Sequence, residues 1–389
     1  MDNARILLVN VLLLVSLPFI TGERRIRAAP PCEFPAIYNF GDSNSDTGGI
    51  SAAFWPISSP HGASFFGRPA GRISDGRLII DFIAEHLGLP YPSPYLDSIG
   101  TNFGHGANFA TGGSTIRRQN ETIYENGISP FSLDIQIVQF DQFKERTNEL
   151  YHQANNHLEK SKLPRPQDFS KALYTIDIGQ NDLVIGFRKL TMPQLRGAIP
   201  DTVDQFAAAV THLYQQGARA FWIHNTGPIG CLPAASMYFT NANPTATATG
   251  FLNKYGCIRA QNSAAVEFNK QLKNRVTKLR VDLPRAALTY VDIYSAKYDL
   301  IRNATTYGFM DPLKICCGIH DNKVNVWCGQ RVMINGSEVI GASCGSPETY
   351  ISWDGVHYSQ AASHWIANHI LNGSFSDPPI PIAHACLKH

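Results

Sequence analysis

Ser43 is the side chain whose setting most suggests chemistry. It lies in FGDSNSDTGG (40–49), one residue past an apolar run and inside a turn that also holds Gly41, Gly48 and Gly49. A serine so placed projects from the carboxyl edge of a strand, where a base can reach its hydroxyl. Taken alone it reads equally well as a turn residue. The segment SWDGVHYS (352–359) adds what a serine would need: Asp354 and His357 are near enough in sequence for a tight loop to bring carboxylate and imidazole together. Serine attack requires a base for the hydroxyl proton, and the base requires a partner that fixes one tautomer and stabilises the imidazolium. The bland alternative is a surface pair in which Asp354 caps a helix. Two further edges offer donors. DIGQNDL ends another apolar run at Asn181, whose amide suits a developing oxyanion, a role worth about 3 kcal/mol in transition-state stabilisation, unless it only shapes a turn. NFATGGS ends a third, where Gly112 and Gly113 let a backbone N–H approach a ligand closely.

Such an edge presupposes a parallel sheet. Five β-rich runs are predicted as strands, at 36–42, 107–111, 172–179, 220–226 and 288–294. Between them the apolar residues recur three and four apart: Val203, Phe206, Val210 and Leu213 in 201–217, then Ala265, Phe268, Leu272, Val276 and Leu279 in 261–283; each set forms one helix face. Another helix is expected to start at Ser74-Asp75-Gly76, to turn Ile79, Phe82, Ile83 and Leu87 inward, and to end at Gly88 before Pro90; a last one is expected at 359–371. Buried strands alternating with amphipathic helices make an α/β fold with right-handed crossovers and helices on both faces. The segment 316–344 has no helical period and reads as a β-hairpin excursion stapled by disulfides.

Composition narrows the class. The chain has 389 residues, 44% hydrophobic and 16% charged, enough apolar surface for a large core and too little charge for a disordered chain. A net charge of +2 excludes an electrostatic nucleic-acid binder. Residues 6–20 are almost uninterrupted apolar and fall short of the ~20 residues of a bilayer span, so 1–22 reads as a cleaved signal peptide, with an uncleaved anchor as the alternative. No second span follows. Length alone allows two or three domains; the single run of strands and helices points instead to one domain over 31–389. The eight cysteines include no C-x-x-C pair, which favours disulfides over zinc and an oxidising compartment. Acceptor triplets at Asn120, Asn303, Asn335 and Asn372 fit a secreted glycoprotein. Nothing in the sequence specifies an oligomeric state.

FGDSNSDTG, GANFATGGS, GQND and DGVH, in that order and across nearly the whole mature chain, resemble the four blocks of the plant GDSL esterase/lipases of the SGNH hydrolase superfamily. GRISDGRLIIDFIAEHLGLP and NTGPIGCLP look like the plant branch too, closest to the secreted esterases of the early-nodulin and latex-allergen type. The resemblance implies a flavodoxin-like three-layer α/β/α fold with a central five-stranded parallel sheet. It also implies Ser43 as nucleophile, His357 as base and Asp354 orienting His357. The oxyanion hole it implies comprises the Ser43 N–H, a glycine N–H of the second block, taken as Gly112, and the Asn181 amide. Asn44 replaces the leucine of the family name, which leaves the chemistry untouched. The activity implied is carboxylic-ester hydrolysis through an acyl-enzyme, with no metal or cofactor. The ester substrates suggested are acetyl groups of cell-wall polysaccharides or glycosides. Acyl transfer by the same triad and lipase action on longer acyl esters are the neighbouring readings; a non-catalytic carbohydrate-binding defence protein is the reading from another class.

Three other patterns lose on context. Gly341-Ala342-Ser343-Cys344-Gly345 has nucleophile-elbow spacing, but no helix follows it and Cys344 is expected in a disulfide. Gly104-His105-Gly106 starts like a dinucleotide fingerprint, yet Phe109 occupies the third glycine position. His364 reads as a surface histidine or a residue of the cleft rim.

Overall fold

The computed structural model describes residues 30–235, 237, 250–320 and 324–388. The expected signal peptide lies outside the described residues. Five strands form the parallel core of the sheet: β1 (Ile37–Gly41), β2 (Gly106–Asn108), β3 (Leu173–Asp177), β4 (Ala220–His224) and β5 (Ala287–Val291). Every residue in these strands is buried, as a parallel sheet covered on both faces requires. Neighbours run in the order β2-β1-β3-β4-β5, the doubly wound order whose switch point falls between β1 and β3.

Alternate residues serve opposite layers. Tyr38, Phe40, Phe221 and Ile223 face a core built with helices α3 (Leu133–Gln153), α4 (Gln180–Lys189), α5 (Met192–Gln215) and α6 (Arg259–Asp282). Ile37, Leu173, Ala220 and Trp222 face a second core with α2 (Ile79–His86), α7 (Ile293–Arg302) and α8 (Gln360–Leu371). The period-two alternation of strand side chains thus produces three layers from one sheet.

The structure alters several expectations. A sixth strand, Ser376–Asp377, pairs antiparallel with β5 at the edge, so the sheet is larger than the predicted five strands. β5 stops at Val291, because Asp292 accepts the Ser295 N–H at 3.1 Å and opens α7 where the sequence predicts a strand to residue 294. Ser74, Asp75 and Gly76 precede α2 rather than start it; Leu78 is the cap, and the Asp81 carboxylate returns to the Leu78 N–H at 2.9 Å. α5 begins at Met192, before the expected 201, and runs through Pro200; buried Leu195 and Ile199 carry the inward face past the proline.

Beyond α7 the excursion forms two antiparallel ladders, Ile319–His320 with Asn325–Val326 and Arg331–Ile334 with Ser337–Ile340. All eight cysteines are paired: Cys316 with Cys344 and Cys317 with Cys328 in the excursion, Cys231 with Cys257, and Cys32 with Cys386. Among the described residues no helix is long and apolar enough to cross a membrane.

Candidate active site

The Ser43 turn is held by buried polar side chains that the apolar pattern of β1 hides. The Gln136 amide clamps the last residue of the strand, accepting the Gly41 N–H at 2.9 Å and donating to the Gly41 carbonyl at 2.8 Å. Gly41 must be glycine, since a Cβ there would stand 2.6 Å from the Asp177 carbonyl oxygen. Asn39 donates to Asn108 at 2.7 Å and accepts from Thr175 at 2.7 Å, tying β1 to both of its neighbours. Asn108 donates to the Ser45 carbonyl at 2.7 Å, which draws the turn onto β2. Asp46 is fully buried and accepts the N–H groups of Gly48, Gly49, Ile50 and Gly112, so one carboxylate caps α1 (Gly49–Ala53) and fastens the second motif beside the first. Burial raises the Asp46 carboxyl above its ordinary value, against the pull of those four donors.

Asp354 and His357 sit in a loop fixed from two sides. Asp354 Oδ1 accepts the N–H of Val356 at 2.9 Å and of His357 at 2.7 Å; Oδ2 meets His357 Nδ1 at 2.6 Å. The backbone caps hold the carboxylate so that its second oxygen faces the ring. On one side Ser74 donates its hydroxyl to the Tyr358 carbonyl at 3.0 Å and Asp75 accepts the Gln360 N–H at 2.6 Å. On another, the Cys316 and Cys317 N–H groups donate to the carbonyls of Ser352 and Trp353. Trp353 is buried among Cys316, Cys317 and Cys328. Burial opposes the charge of Asp354, but His357 and the loop N–H groups outweigh it and hold its carboxyl below the ordinary range. For His357 burial disfavours the imidazolium, the Asp354 carboxylate more than reverses this, and the net shift is upward.

Ser43 and His357 line one small cavity with Asn44, Leu78, Ile79, Lys297, Tyr358 and Ser363. His357 Nε2 is buried there and has no hydrogen-bond partner among the described residues. With Nδ1 spent on Asp354, Nε2 is the nitrogen left to act as base.

Of the three expected oxyanion donors, Gly112 needs correction. Its N–H donates to Asp46 Oδ2 at 2.8 Å and is therefore not available to a substrate. The tandem glycine supplies the alternative: Gly113 N–H has no acceptor among the described residues, and neither has Ser43 N–H. Gly113 has φ +81, and a Cβ there would lie 2.3 Å from the Gly127 carbonyl oxygen, so glycine is obligatory at that position. Gly112 remains beside Ser43, its Cβ position 3.5 Å from Ser43 Cβ. Asn181, near the start of α4, donates to the Ser114 carbonyl at 2.9 Å and only at the long distance of 3.4 Å to Asp42 Oδ2, a weak contact from which its second N–H can turn to an oxyanion, unlike the 2.8 Å bond that holds Gly112. Asp182 accepts the N–H groups of Ile116 and Arg117, joining the second and third motifs.

The remaining expectations resolve simply. Cys344 of the elbow-like motif is in a disulfide, and the Ser343 hydroxyl donates to the Cys344 carbonyl. Gly106 opens β2, where a Cβ would strike the Ile37 carbonyl, so that glycine serves strand packing. The His364 ring is exposed, packs on Phe82 at 4.9 Å and makes a surface pair with Asn368. Asn120, Asn335 and Asn372 are exposed; Asn303 is half-buried and its amide donates to Asp299 at 2.9 Å. Among the described residues no group of three or more His, Cys, Asp or Glu is placed to hold a metal. Sequence reasoning missed Gln136, Asp46 and Lys297. Lys297 had a legible signal, a lysine on the apolar stripe of a helix.

Sheet and edge together have the make-up of a doubly wound serine hydrolase. The chain belongs to the GDSL-like lipase/acylhydrolase family, whose model matches residues 37–370. It is 57% identical over 363 residues to GDSL esterase/lipase At5g14450 of Arabidopsis thaliana, covering 93% of this chain and 92% of that one. An esterase of Hevea brasiliensis is 48% identical over 366 residues, covering 93% and 91%. GDSL esterase/lipase ENOD8 of Medicago truncatula is 45% identical over 365 residues, covering 93% and 92%. The chain is accordingly a carboxylic ester hydrolase.

Proposed function

We propose that the protein is a secreted esterase that acts through an acyl-enzyme on short-chain, chiefly acetyl, esters of cell-wall polysaccharides or glycosides, as a single hydrolase domain over 31–389. Ser43 Oγ attacks the ester carbonyl while His357 Nε2 takes its proton. Asp354 holds the Nε2-basic tautomer and stabilises the imidazolium. The tetrahedral oxyanion is met by the N–H groups of Ser43 and Gly113 and by the Asn181 amide. The tetrahedral intermediate collapses, the C–O bond to the leaving alcohol breaks, and His357 returns its proton to that alcohol. Water, deprotonated by His357, then releases the acid. The observation that carries this reading is the unpartnered Nε2 of His357 in the cavity that Ser43 lines, with Nδ1 already on Asp354. The four disulfides support export into an oxidising compartment. Asn120, Asn335 and Asn372, being exposed, are the better glycan acceptors, and Asn303 the poorer.

Two measurements test the chemistry: fluorophosphonate labelling of the purified protein, and p-nitrophenyl acetate hydrolysis by wild type and Ser43→Ala. Labelling at Ser43 and loss of hydrolysis in the variant are expected. Full activity in Ser43→Ala would refute the mechanism. A chain-length series of p-nitrophenyl esters, with acetylated xylan alongside, separates an acetylesterase from a lipase. Product analysis with an added alcohol separates hydrolysis from acyl transfer.

A further inference from the structure

Lys297 occupies a hydrophobe's place. On the buried face of α7 it stands among Ile293, Ala296, Leu300 and Ile301, and it is 2% exposed. Room is made for it: Gly227 passes the stem so closely that a Cβ there would meet Lys297 Cδ at 3.0 Å. The ammonium reaches the cavity shared by Ser43 and His357, with Nζ 4.6 Å from the centroid of the Tyr358 ring. Among the described residues Nζ makes no hydrogen bond and no ion pair. A lysine carried into a buried helix face without an ion pair is a costly arrangement to keep, and it points to a task.

The surrounding charges show what that task is. Asp42 and Asp177, from the ends of β1 and β3, and Asp354, from the loop before α8, are buried carboxylates around the reacting groups. His224, from the end of β4, pairs with Asp177 at 3.1 Å. His61 packs edge-on against Trp353, and its charge state responds to both Asp354 and His357. Lys297 is the one lysine or arginine in this set; burial lowers its pKa, and Asp177 and Asp42 pull it back toward the charged form. Asp42 also has structural work: it accepts the Asn44 N–H at 3.0 Å and the Asn44 amide at 2.8 Å, shaping the turn that carries Ser43, and receives the Asn181 amide at 3.4 Å.

We propose that Lys297 is a positioning residue for the hydrolysis: its ammonium offsets the carboxylates around the cavity, favouring the neutral, basic form of His357 and the ionised form of Asp42 that holds Ser43 and Asn181. The inference rests on the mechanism proposed above. The directions of the shifts agree with it. Burial and repulsion by Asp177 raise Asp42, the Asn44 donors and Lys297 lower it, and the balance stands at about 7. Lys297 likewise opposes the upward pull of Asp354 and Asp42 on His357. Removing the cation therefore favours the protonated form of both groups, and both changes act in the same direction on the rate.

The test is the pH profile of kcat/KM for p-nitrophenyl acetate in wild type, Lys297→Met, Lys297→Arg and Asp42→Asn, with melting curves to establish folding. Lys297→Met is expected to move the acid limb to higher pH, losing activity several-fold on the acid side while keeping most of the alkaline plateau and its KM. Lys297→Arg is expected to restore the limb towards the wild-type position. Asp42→Asn, which removes a negative charge facing His357, is expected to move the limb the other way, at a lower plateau. A Lys297→Met variant that loses the same factor at every pH, or an Asp42→Asn limb displaced in the same direction as that of Lys297→Met, overturns the proposal. If Lys297→Met does not fold, an unmoved limb in Asp42→Asn overturns it alone. Hydrolysis by wild type that does not depend on Ser43 would defeat the underlying mechanism, whatever the position of the limb.

Discussion

Asp354→Asn isolates the electrostatic task of Asp354 from its structural one. In the wild type Oδ1 caps two backbone N–H groups, Val356 at 2.9 Å and His357 at 2.7 Å, while Oδ2 serves the imidazole at 2.6 Å. Asparagine keeps one carbonyl oxygen, so both backbone caps survive if the amide is oriented as Oδ1 now lies. Its NH2 group must then face Nδ1, and two donors cannot share that contact. The ring responds by placing its proton on Nε2, which turns the basic nitrogen toward the new amide and leaves Ser43 facing a donor. The loss expected from a wrong tautomer is about 10⁴-fold in kcat, or roughly 5.5 kcal/mol of barrier. Stability should change far less, by about 1.5–3 kcal/mol for one charge-assisted hydrogen bond. The assay is p-nitrophenyl acetate turnover on variant protein shown by melting to be folded, with the fluorophosphonate labelling rate of Ser43 measured in parallel. Turnover within about tenfold of wild type, at unchanged melting temperature, would refute the tautomer argument, since tenfold amounts to only about 1.4 kcal/mol.

Two further outcomes follow from the same geometry. His357 must be neutral to act as base and its pKa is raised above the ordinary 6.5, so kcat/KM should still be climbing above pH 6.5, the acid limb lying higher than that of a free histidine; a limb below 6.5 in the wild type would contradict the assigned Asp354–His357 coupling. The stability linkage has the matching sign: a histidine pKa raised by folding stabilises the fold fully at low pH and loses that contribution as pH rises through the folded value. Asp46→Ala strips the acceptor from four buried N–H groups, each costing about 1–3 kcal/mol when left unpaired. That sum rivals the roughly 5–15 kcal/mol of a typical domain, so the variant should express as unfolded or aggregated material, and a soluble protein with the wild-type melting temperature would show that the cap is dispensable.

Much of the fold and the candidate chemistry is legible in the sequence because apolar strands and short motifs follow local rules. Five strand positions, the two longest inward stripes and the Asp354–His357 spacing all depend on neighbours a few residues away. What escapes depends on distant partners. α3 is hidden because its buried face mixes Leu133, Ile137, Phe140 and Phe143 with Gln136 and Thr147; Gln136 is inward only because the Gly41 backbone needs it. Gly112 and Gly113 look alike in the sequence until Asp46, far away along the chain, claims the amide of the first. The first turns of α5, before residue 201, escape notice because the burial that carries the helix through Pro200 is a tertiary effect.

The Cys32–Cys386 disulfide spans 354 residues, and the reacting groups are almost as far apart along the chain. Ser43 leaves the ribosome early, with the first strand, whereas His357 is made some three hundred residues later, after every other strand of the parallel core. On the proposed mechanism no nascent fragment that lacks residue 357 holds both halves of the proton transfer, so the growing chain would carry Ser43 without a means of activating it. Hydrolytic competence would then wait until the segment carrying α8 docks between α2 and α7, where the Cys32–Cys386 bridge can close behind it. The order of synthesis itself would keep Ser43 silent until that docking.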